Sequence, residues 1–183
     1  MSKVNQKLKY LENKHSEQDS KELKYGKLHH DDKFKIWWPE APSAYNNHEK
    51  GAYRIESQLE TIIKLIKELK LPANSKILDI CCGLPILPAK IKKEFPEFEV
   101  YGIDIYTDEY DEFEKYSKGC HIYKFPFQML FEKSYEDNID FELITMFNSF
   151  RAFEEDIKKN ILNWHKNNGK LFMFDDLGIK IIQ

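Results

Sequence analysis

The sequence lacks an excess of basic residues, long apolar runs and more than a few cysteines. Its 28 Lys and Arg against 31 Asp and Glu give a net charge of −3, without the positive surplus that neutralises a nucleic-acid backbone. No apolar run approaches the roughly 20 residues that span a bilayer. Three cysteines, two of them adjacent at Cys81 and Cys82, provide neither a disulfide framework nor a zinc-ligand spacing. We therefore expect a cytoplasmic protein with no metal site, and neither a membrane nor a nucleic acid as its partner.

Glycine is scarce where a nucleotide-binding loop would need it. The segment KILDICCGLPILPAKI, residues 76–91, has the pattern of a strand that runs into a helix, yet Gly83 is its one glycine. A nicotinamide dinucleotide site needs G-x-G-x-x-G so that the pyrophosphate can reach the helix N-terminus. Asp79, at the end of the strand, would also repel a pyrophosphate and attract a cationic amino group. A nicotinamide-dependent oxidoreductase is therefore disfavoured, although it stays an alternative.

Composition predicts three regions. Residues 1–35 hold nine Lys and Arg against six Asp and Glu and form a charged arm, which is either a frayed helix or tail or a contact surface for an acidic partner. Residues 36–74 combine an aromatic cover segment with an amphipathic helix that Pro72 stops. In residues 75–183, strand-like apolar runs alternate with segments of helical composition, which predicts an α/β domain with a parallel sheet. The runs are 76–81, 99–104, 121–125, 141–147 and 170–175.

Acidic residues end the first two predicted strands. In an open α/β sheet the ligand crevice lies at the carboxyl ends of the strands, so these residues are the first candidates for a site. The first strand reaches Asp79 and opens into Cys81, Cys82 and Gly83, and the second ends at Asp104, 21 residues after Gly83. An acid at this position accepts the ribose hydroxyls of a cofactor. The spacing alone fits either a nicotinamide dinucleotide or an adenosyl cofactor.

Four segments together resemble a known family. ILDICCGLPILPAKI followed by VYGIDIY is similar to motifs I and II of the class I S-adenosylmethionine-dependent methyltransferases, FELITMFNSF to their fourth strand, and NILNWHKNNGKLFMFDD to their fifth helix and strand. The resemblance covers about residues 52–176. It implies a Rossmann-like, open, mostly parallel sheet with helices on both faces and an N-terminal helical extension. It also implies S-adenosylmethionine as cofactor and a methyltransferase that acts on a small-molecule or protein acceptor.

The resemblance also implies roles for residues at the first two strands. Asp79 would organise the loop that faces the methionine end of the cofactor. The backbone of Cys81, Cys82 and Gly83 would pass close to the cofactor, and Asp104 would bind its ribose hydroxyls.

Further residues are implied after the third and fourth strands. Phe127 and Gln128 would lie near the adenine, and Phe147 and Asn148 beside the methionine moiety and the methyl acceptor. No catalytic residue is assigned, because methyl transfer needs positioning more than an acid or base.

Two departures from the family pattern affect these expectations. Cys81 stands at the position of the first loop glycine and Pro85 at that of the third, which predicts a reshaped pocket and a late or irregular helix start. The resembled family ends its sheet with two further strands, whereas LGIKIIQ alone follows strand five, so we expect a sheet that is truncated there, with one short strand or another chain completing it. An exposed sheet edge favours homo- or hetero-oligomers. A non-catalytic binding or regulatory protein with a degenerate methyltransferase fold therefore stays an alternative.

Overall fold

A computed structural model describes residues 2–19, 49–104, 112–131, 139–147, 155–175 and 178–182. None of the described helices is both long and apolar enough to cross a bilayer. The elements, in chain order, are α1 (Lys3–Asp19), α2 (Glu49–Leu69), β1 (Lys76–Ile80), α3 (Ile86–Glu94), β2 (Glu99–Asp104), α4 (Phe113–Ser117), β3 (His121–Lys124), a 3-10 turn (Phe127–Phe131), β4 (Leu143–Phe147), α5 (Glu155–Asn168), β5 (Lys170–Asp175) and β6 (Gly178–Ile182).

The described strands form one sheet in the order β3-β2-β1-β4-β5-β6. Pairing is parallel from β3 through β5. The nearly continuous burial of β1 and β4 fits this arrangement, because strands of a parallel sheet are buried on both faces. The strand order reverses between β1 and β4, and the crevice at such a switch point is where open α/β sheets bind ligands. The predicted mostly parallel α/β sheet is confirmed.

The sheet gains one short strand after β5. Gly178–Ile182 forms β6, which pairs antiparallel with β5, and the pair Asp175↔Gly178 leaves two residues for the connection. Two residues are the commonest hairpin length, so the short segment after β5 is long enough to return along it. The sequence predicts that the sheet is completed after strand five either by one short strand or by another chain. The structure shows the first of these, a single short strand. Oligomerisation through the sheet edge stays a prediction.

The chain divides into two compact units, Met1–Glu12 with Leu71–Gln183, and Asn13–Lys70. The second unit contains α2, whose predicted apolar stripe is Ile55, Leu59, Ile62, Ile63, Ile66 and Leu69. Of these, Leu59, Ile62, Ile63 and Ile66 are buried and Leu69 is partly buried. The aromatic cover segment falls largely in residues 20–48, outside the described residues. The predicted region boundaries after residues 35 and 74 stay a prediction.

The described part of the charged arm is helical, and its first residues belong to the same unit as the sheet. The Tyr123 hydroxyl of β3 donates a hydrogen bond to Asn5 Oδ1, and the backbone N–H of Lys124 donates to Glu12 Oε1 at 2.8 Å. Because β3 is the edge strand, this bond satisfies a backbone donor that the sheet leaves unpaired. The helical extension therefore shields one edge of the sheet.

The end of α5 approaches the backbone ahead of β4 closely. Gly169 has a φ of +142°, and a Cβ atom there would lie 2.2 Å from the carbonyl oxygen of Phe141. The Phe141 N–H also donates to the Asn168 carbonyl at 2.9 Å. Glycine is required at position 169 because both the backbone conformation and the available space exclude a side chain.

We predict that Gly169→Ala destabilises the protein much more than Gly119→Ala does. Gly119 also has a positive φ of +82°, but a Cβ there would meet Lys92 Cγ at 3.5 Å, an ordinary contact. Gly119→Ala should therefore lower the free energy of unfolding by about 1–2 kcal/mol through backbone strain. Gly169→Ala should cause a similar loss through backbone strain and should lower the free energy of unfolding by about a further 1–3 kcal/mol, because the new Cβ overpacks against Phe141. Urea unfolding of both variants measures the difference, and equal losses would contradict the close approach at Phe141.

Candidate functional site

The residues of the candidate site meet at the carboxyl ends of β1, β2 and β4. Asp79 on β1 lies in register with Gly102 on β2 and with Thr145 on β4. Asp104, the last residue of β2, and Asp79 are both almost completely buried, with 6% and 1% of their surfaces exposed. An ionised carboxylate buried at a switch point carries a strong negative potential, because the surrounding medium screens it poorly. The site is therefore suited to a ligand that has a cationic group.

The Asp79 carboxyl is held between the strands. Its Oδ1 atom accepts a hydrogen bond of 2.7 Å from the Thr145 hydroxyl. Burial raises the pKa of Asp79 to about 7, with a smaller contribution in the same direction from the negative charge of Asp104, while the Thr145 bond lowers it. Asp79 is consequently poised near neutrality, and a cation placed beside it would favour the ionised form.

Asp104 fixes the loop that follows β1. The backbone N–H of Gly83 donates to Asp104 Oδ2 at 3.0 Å, and the N–H of Cys82 donates to the Ile103 carbonyl at 3.1 Å. Asp104 thus has a local role as well as its predicted one, because its charged oxygen holds the loop backbone against the end of β2. The sequence-predicted Asp79, Cys81, Cys82, Gly83 and Asp104 do come together in the described structure.

The loop keeps a glycine-like backbone at its first substituted position. Cys81 has a φ of +57° and Gly83 a φ of +50°. An L-residue in this region costs about 1–2 kcal/mol, so Cys81 stores strain that a glycine would not. The loop therefore carries a side chain at position 81 on a left-handed backbone, a conformation that favours glycine.

The two prolines are accommodated at the start of α3. The helix begins at Ile86, so Pro85 is the residue that precedes it and Pro88 lies in the first turn. Proline is tolerated there because the first N–H groups of a helix have no intrahelical partner. The helix thus begins ahead of Pro88 and includes Leu87 in its first turn, so the predicted late or irregular start stays a prediction.

Gly102 is a site residue that the sequence analysis missed. A Cβ at Gly102 would lie 2.9 Å from Cys82 Sγ and 2.8 Å from Ile122 Cδ1, so the buried Cys82 side chain occupies the space that a side chain would need. Burial raises the pKa of the Cys82 thiol well above its usual range, and Asp104 and Asp79 add to this effect. The thiol is therefore a neutral packing group. A glycine inside an apolar strand was the available signal of a close approach.

Thr145 is a second residue that the sequence analysis missed. It is completely buried in β4, where its neighbours in LITMF are apolar. A lone hydroxyl in such a strand indicates a buried polar partner, because buried polar groups are almost always hydrogen-bonded. Its partner, Asp79, is 66 residues away in sequence.

Phe127 and Gln128 lie in the 3-10 turn that follows β3. The end of β3 is attached to the site, because the N–H of Phe125 donates to the Asp104 carbonyl at 3.1 Å. Phe127 is buried and packs edge-on against Phe131. The Gln128 side-chain oxygen is buried and has no hydrogen-bond partner among the described residues. A buried acceptor without a donor costs about 1–3 kcal/mol, so this oxygen is suited to a ligand that brings an N–H group.

Two predicted residues are not brought into the site by any described contact. Phe147, the last residue of β4, is partly buried, and Asn148 lies outside the described residues. Within the described ranges, no three His, Cys, Asp or Glu side chains converge as metal ligands would.

Comparison with solved structures identifies the same fold elsewhere. The plantazolicin methyltransferase BpumL, solved with a pentazolic desmethylPZN analog and SAH, matches with a TM-score of 0.54 and 22% identity over 93% of this chain and 61% of that protein. Its complex with the monoazolic analog gives 0.53 and 21% over 95% and 62%. A TehB-like SAM-dependent methyltransferase from Corynebacterium glutamicum ATCC 13032 Kitasato has a TM-score of 0.49 at 18% identity, over 74% and 72%.

The similarity to BpumL establishes the fold, a Rossmann-like α/β fold of the class I methyltransferase type, as the sequence predicted. The chain spans about three fifths of the length of that methyltransferase. No protein-family model matches the sequence, and no curated protein does either.

We predict that Asp79→Asn changes how stability depends on pH. The native protein binds the Asp79 proton more tightly than the unfolded chain does, since the pKa rises from 3.8 to about 7 on folding. The contribution of the Asp79 carboxyl to the free energy of unfolding is therefore greatest below about pH 4 and is lost as the pH rises through 7. Relative to the wild type, Asp79→Asn should gain about 2–3 kcal/mol of unfolding free energy between about pH 5 and about pH 8.

Urea unfolding across this pH range measures the effect. The matched control is the same substitution at an exposed aspartate, Asp140→Asn. Parallel pH profiles for the wild type and Asp79→Asn would contradict the burial of an ionisable carboxyl at this position.

Proposed function

We propose that the protein binds S-adenosylmethionine at the carboxyl ends of β1 and β2 and transfers its methyl group to a small-molecule or protein acceptor. The observation that carries the proposal is the buried pair Asp79 and Asp104 at the switch point of a methyltransferase-type fold, with the intervening loop tied to Asp104 through Gly83. Each half of the cofactor then has a chemically matched partner.

Asp104 is the proposed partner of the ribose. A carboxylate has about four lone-pair positions on two oxygens, so the bond from Gly83 does not prevent it from accepting a vicinal diol. Bonds to an ionised acceptor are the stronger kind. The loop offers one glycine and no G-x-G-x-x-G cradle, which favours an adenosyl ligand over a dinucleotide with its pyrophosphate.

Asp79 is the proposed partner of the methionine end. That end of the cofactor carries an ammonium group and a sulfonium centre, and a carboxylate in a poorly screened site attracts both. The raised pKa of Asp79 means that ligand binding would draw off its proton near neutral pH. The Asp79 carboxyl therefore also favours cationic ligands over neutral ones.

Gln128 is the proposed partner of the adenine. The exocyclic amino group of adenine donates hydrogen bonds, and the buried Gln128 oxygen lacks a donor among the described residues. The turn that carries it is braced, because Phe131 packs on Phe127 with ring centroids 5.6 Å apart and on Trp164 of α5 at 5.7 Å. A braced acceptor loses little conformational freedom when a ligand binds.

Bound S-adenosylmethionine would supply an electrophilic methyl group. The protein then has to hold the acceptor in line with that group and exclude water, which needs no dedicated acid or base. BpumL was solved with a pentazolic desmethylPZN analog, which supports a small-molecule acceptor here. The acidic balance of residues 36–183, with 19 Lys and Arg against 25 Asp and Glu, supports the same choice over a nucleic acid.

A non-catalytic binding or regulatory protein is the second candidate. The strained, left-handed Cys81 favours it, because a loop that no longer needs a close ligand approach can accept a side chain there. Retention of ligand binding without methyl transfer, or the absence of both, would distinguish this candidate from the enzyme.

We predict that S-adenosylhomocysteine and S-adenosylmethionine bind the wild-type protein and that NAD does not. Asp104→Asn should weaken adenosyl binding by about 10–100-fold, because it removes the charge of the acceptor while an amide oxygen can still hold Gly83. Calorimetric titration measures the affinities, with the exposed Asp140→Asn as the matched control. Equal affinity in Asp104→Asn and the wild type would exclude Asp104 as the ribose partner.

We further predict that Gln128→Met raises the stability of the ligand-free protein and weakens adenosyl binding. The substitution keeps the shape of the side chain but removes a buried acceptor that lacks a partner, so the free energy of unfolding should rise by about 1 kcal/mol. S-adenosylhomocysteine affinity should fall about 5–10-fold. Stability and affinity that change in the same direction would argue against an adenine contact.

A further inference from the structure

Thr145 offers one hydroxyl proton to two buried oxygens. Its Oγ1 atom lies 2.7 Å from Asp79 Oδ1 and 3.4 Å from the Leu78 carbonyl oxygen. A hydroxyl has a single proton to donate and can also accept. When Asp79 is ionised, the proton of Thr145 goes to the carboxylate. When Asp79 is protonated, the carboxyl can donate to Thr145, which then turns its own proton to Leu78.

We infer that Thr145 is a positioning residue that holds the Asp79 carboxylate in one orientation and stabilises its ionised form, and so sets the pH range in which the site binds the cationic end of the cofactor. The ligand half of this inference rests on the proposed function. The half that concerns the Asp79 carboxyl rests on the hydrogen bond from Thr145 and on the groups around Asp79, and it requires no ligand.

The other described groups around Asp79 do not stabilise its ionised form, whereas Thr145 does. From β2, Asp104 faces Asp79 with a negative charge that opposes ionisation. From the loop after β1, Cys82 faces it as a neutral thiol whose pKa burial has raised, with Cys81 next to it in the same loop. Of the groups described around Asp79, the Thr145 hydroxyl is the one that opposes burial and favours the carboxylate. Removal of the Thr145 hydroxyl should therefore shift the protonation equilibrium of Asp79 toward the protonated form.

The register of the sheet explains why the hydrogen bond from Thr145 to Asp79 has a fixed geometry. Asp79 and Thr145 are paired residues on neighbouring parallel strands, and paired residues project on the same face. Thr145 is completely buried, and its β-branched side chain has restricted χ1 freedom in a strand. A hydroxyl that is fixed in this way can orient its partner.

The test compares Thr145→Val, which keeps the shape and loses the hydroxyl, with Thr145→Ser, which keeps the hydroxyl. NMR titration of the Asp79 carboxyl carbon in the ligand-free protein should give a pKa higher by about one pH unit in Thr145→Val, and nearly the wild-type value in Thr145→Ser. If Thr145→Val does not fold, Thr145→Ala replaces it with the same expected direction. A pKa that is equal in the hydroxyl-free variant and the wild type would overturn the inference.

The second readout is the pH profile of S-adenosylhomocysteine binding. Near pH 6, Thr145→Val should bind about tenfold more weakly than the wild type, and near pH 9 within about threefold, because Asp79 is ionised in both proteins at the higher pH. Thr145→Ser should follow the wild type. The control Ile144→Val removes a methylene from the neighbouring buried residue of β4 and should lower stability without moving the profile.

A binding deficit in Thr145→Val that is the same at every pH, or one that Thr145→Ser shares, would overturn the positioning role. Absence of adenosyl binding by the folded wild type would instead refute the proposed function. The ligand-free titration of Asp79 separates these two failures, because it requires no ligand.

Discussion

The hydrogen bond from the Gly83 N–H to Asp104 Oδ2 is the contact on which the site depends. It joins the loop after β1 to the end of β2 across 21 residues of sequence, and it is a charge-assisted, partly buried bond. Without it, the short turn from β1 into α3 would lack its described side-chain anchor on the neighbouring strand. With it, two carboxylates and the loop backbone occupy fixed positions at the switch point, where this class of sheet binds ligands.

The anchor also explains how a glycine-poor loop can keep its shape. Cys81 adopts the left-handed conformation at a cost of about 1–2 kcal/mol, and the bonds from Cys82 to Ile103 and from Gly83 to Asp104 oppose that strain. The Cys82 side chain is placed over Gly102, the strand residue that leaves room for it. The left-handed backbone at Cys81 and the space that Gly102 leaves for the Cys82 side chain are thus parts of one loop arrangement.

The strands and the acids at their ends could be predicted from local sequence patterns. Contacts between residues that are distant in sequence could not. The apolar runs located β1 to β5, and the acids at their ends located Asp79 and Asp104, because these signals lie within a few residues of each other. Thr145 and Gly102 were missed because their importance comes from strand register, which an apolar run does not determine. The buried positions Val4, Leu8 and Leu11 of α1 have helical spacing, but the high charge of the arm obscured them.

We propose that an adenosyl cofactor binds between Asp79, Asp104 and Gln128. A crystal structure of the protein in complex with S-adenosylhomocysteine would test this arrangement directly. We expect ribose hydroxyls within hydrogen-bond distance of Asp104, the ligand ammonium group toward Asp79, and the adenine amino group against the Gln128 oxygen. A ligand bound elsewhere on the protein, or with its adenine outside the turn after β3, would contradict it.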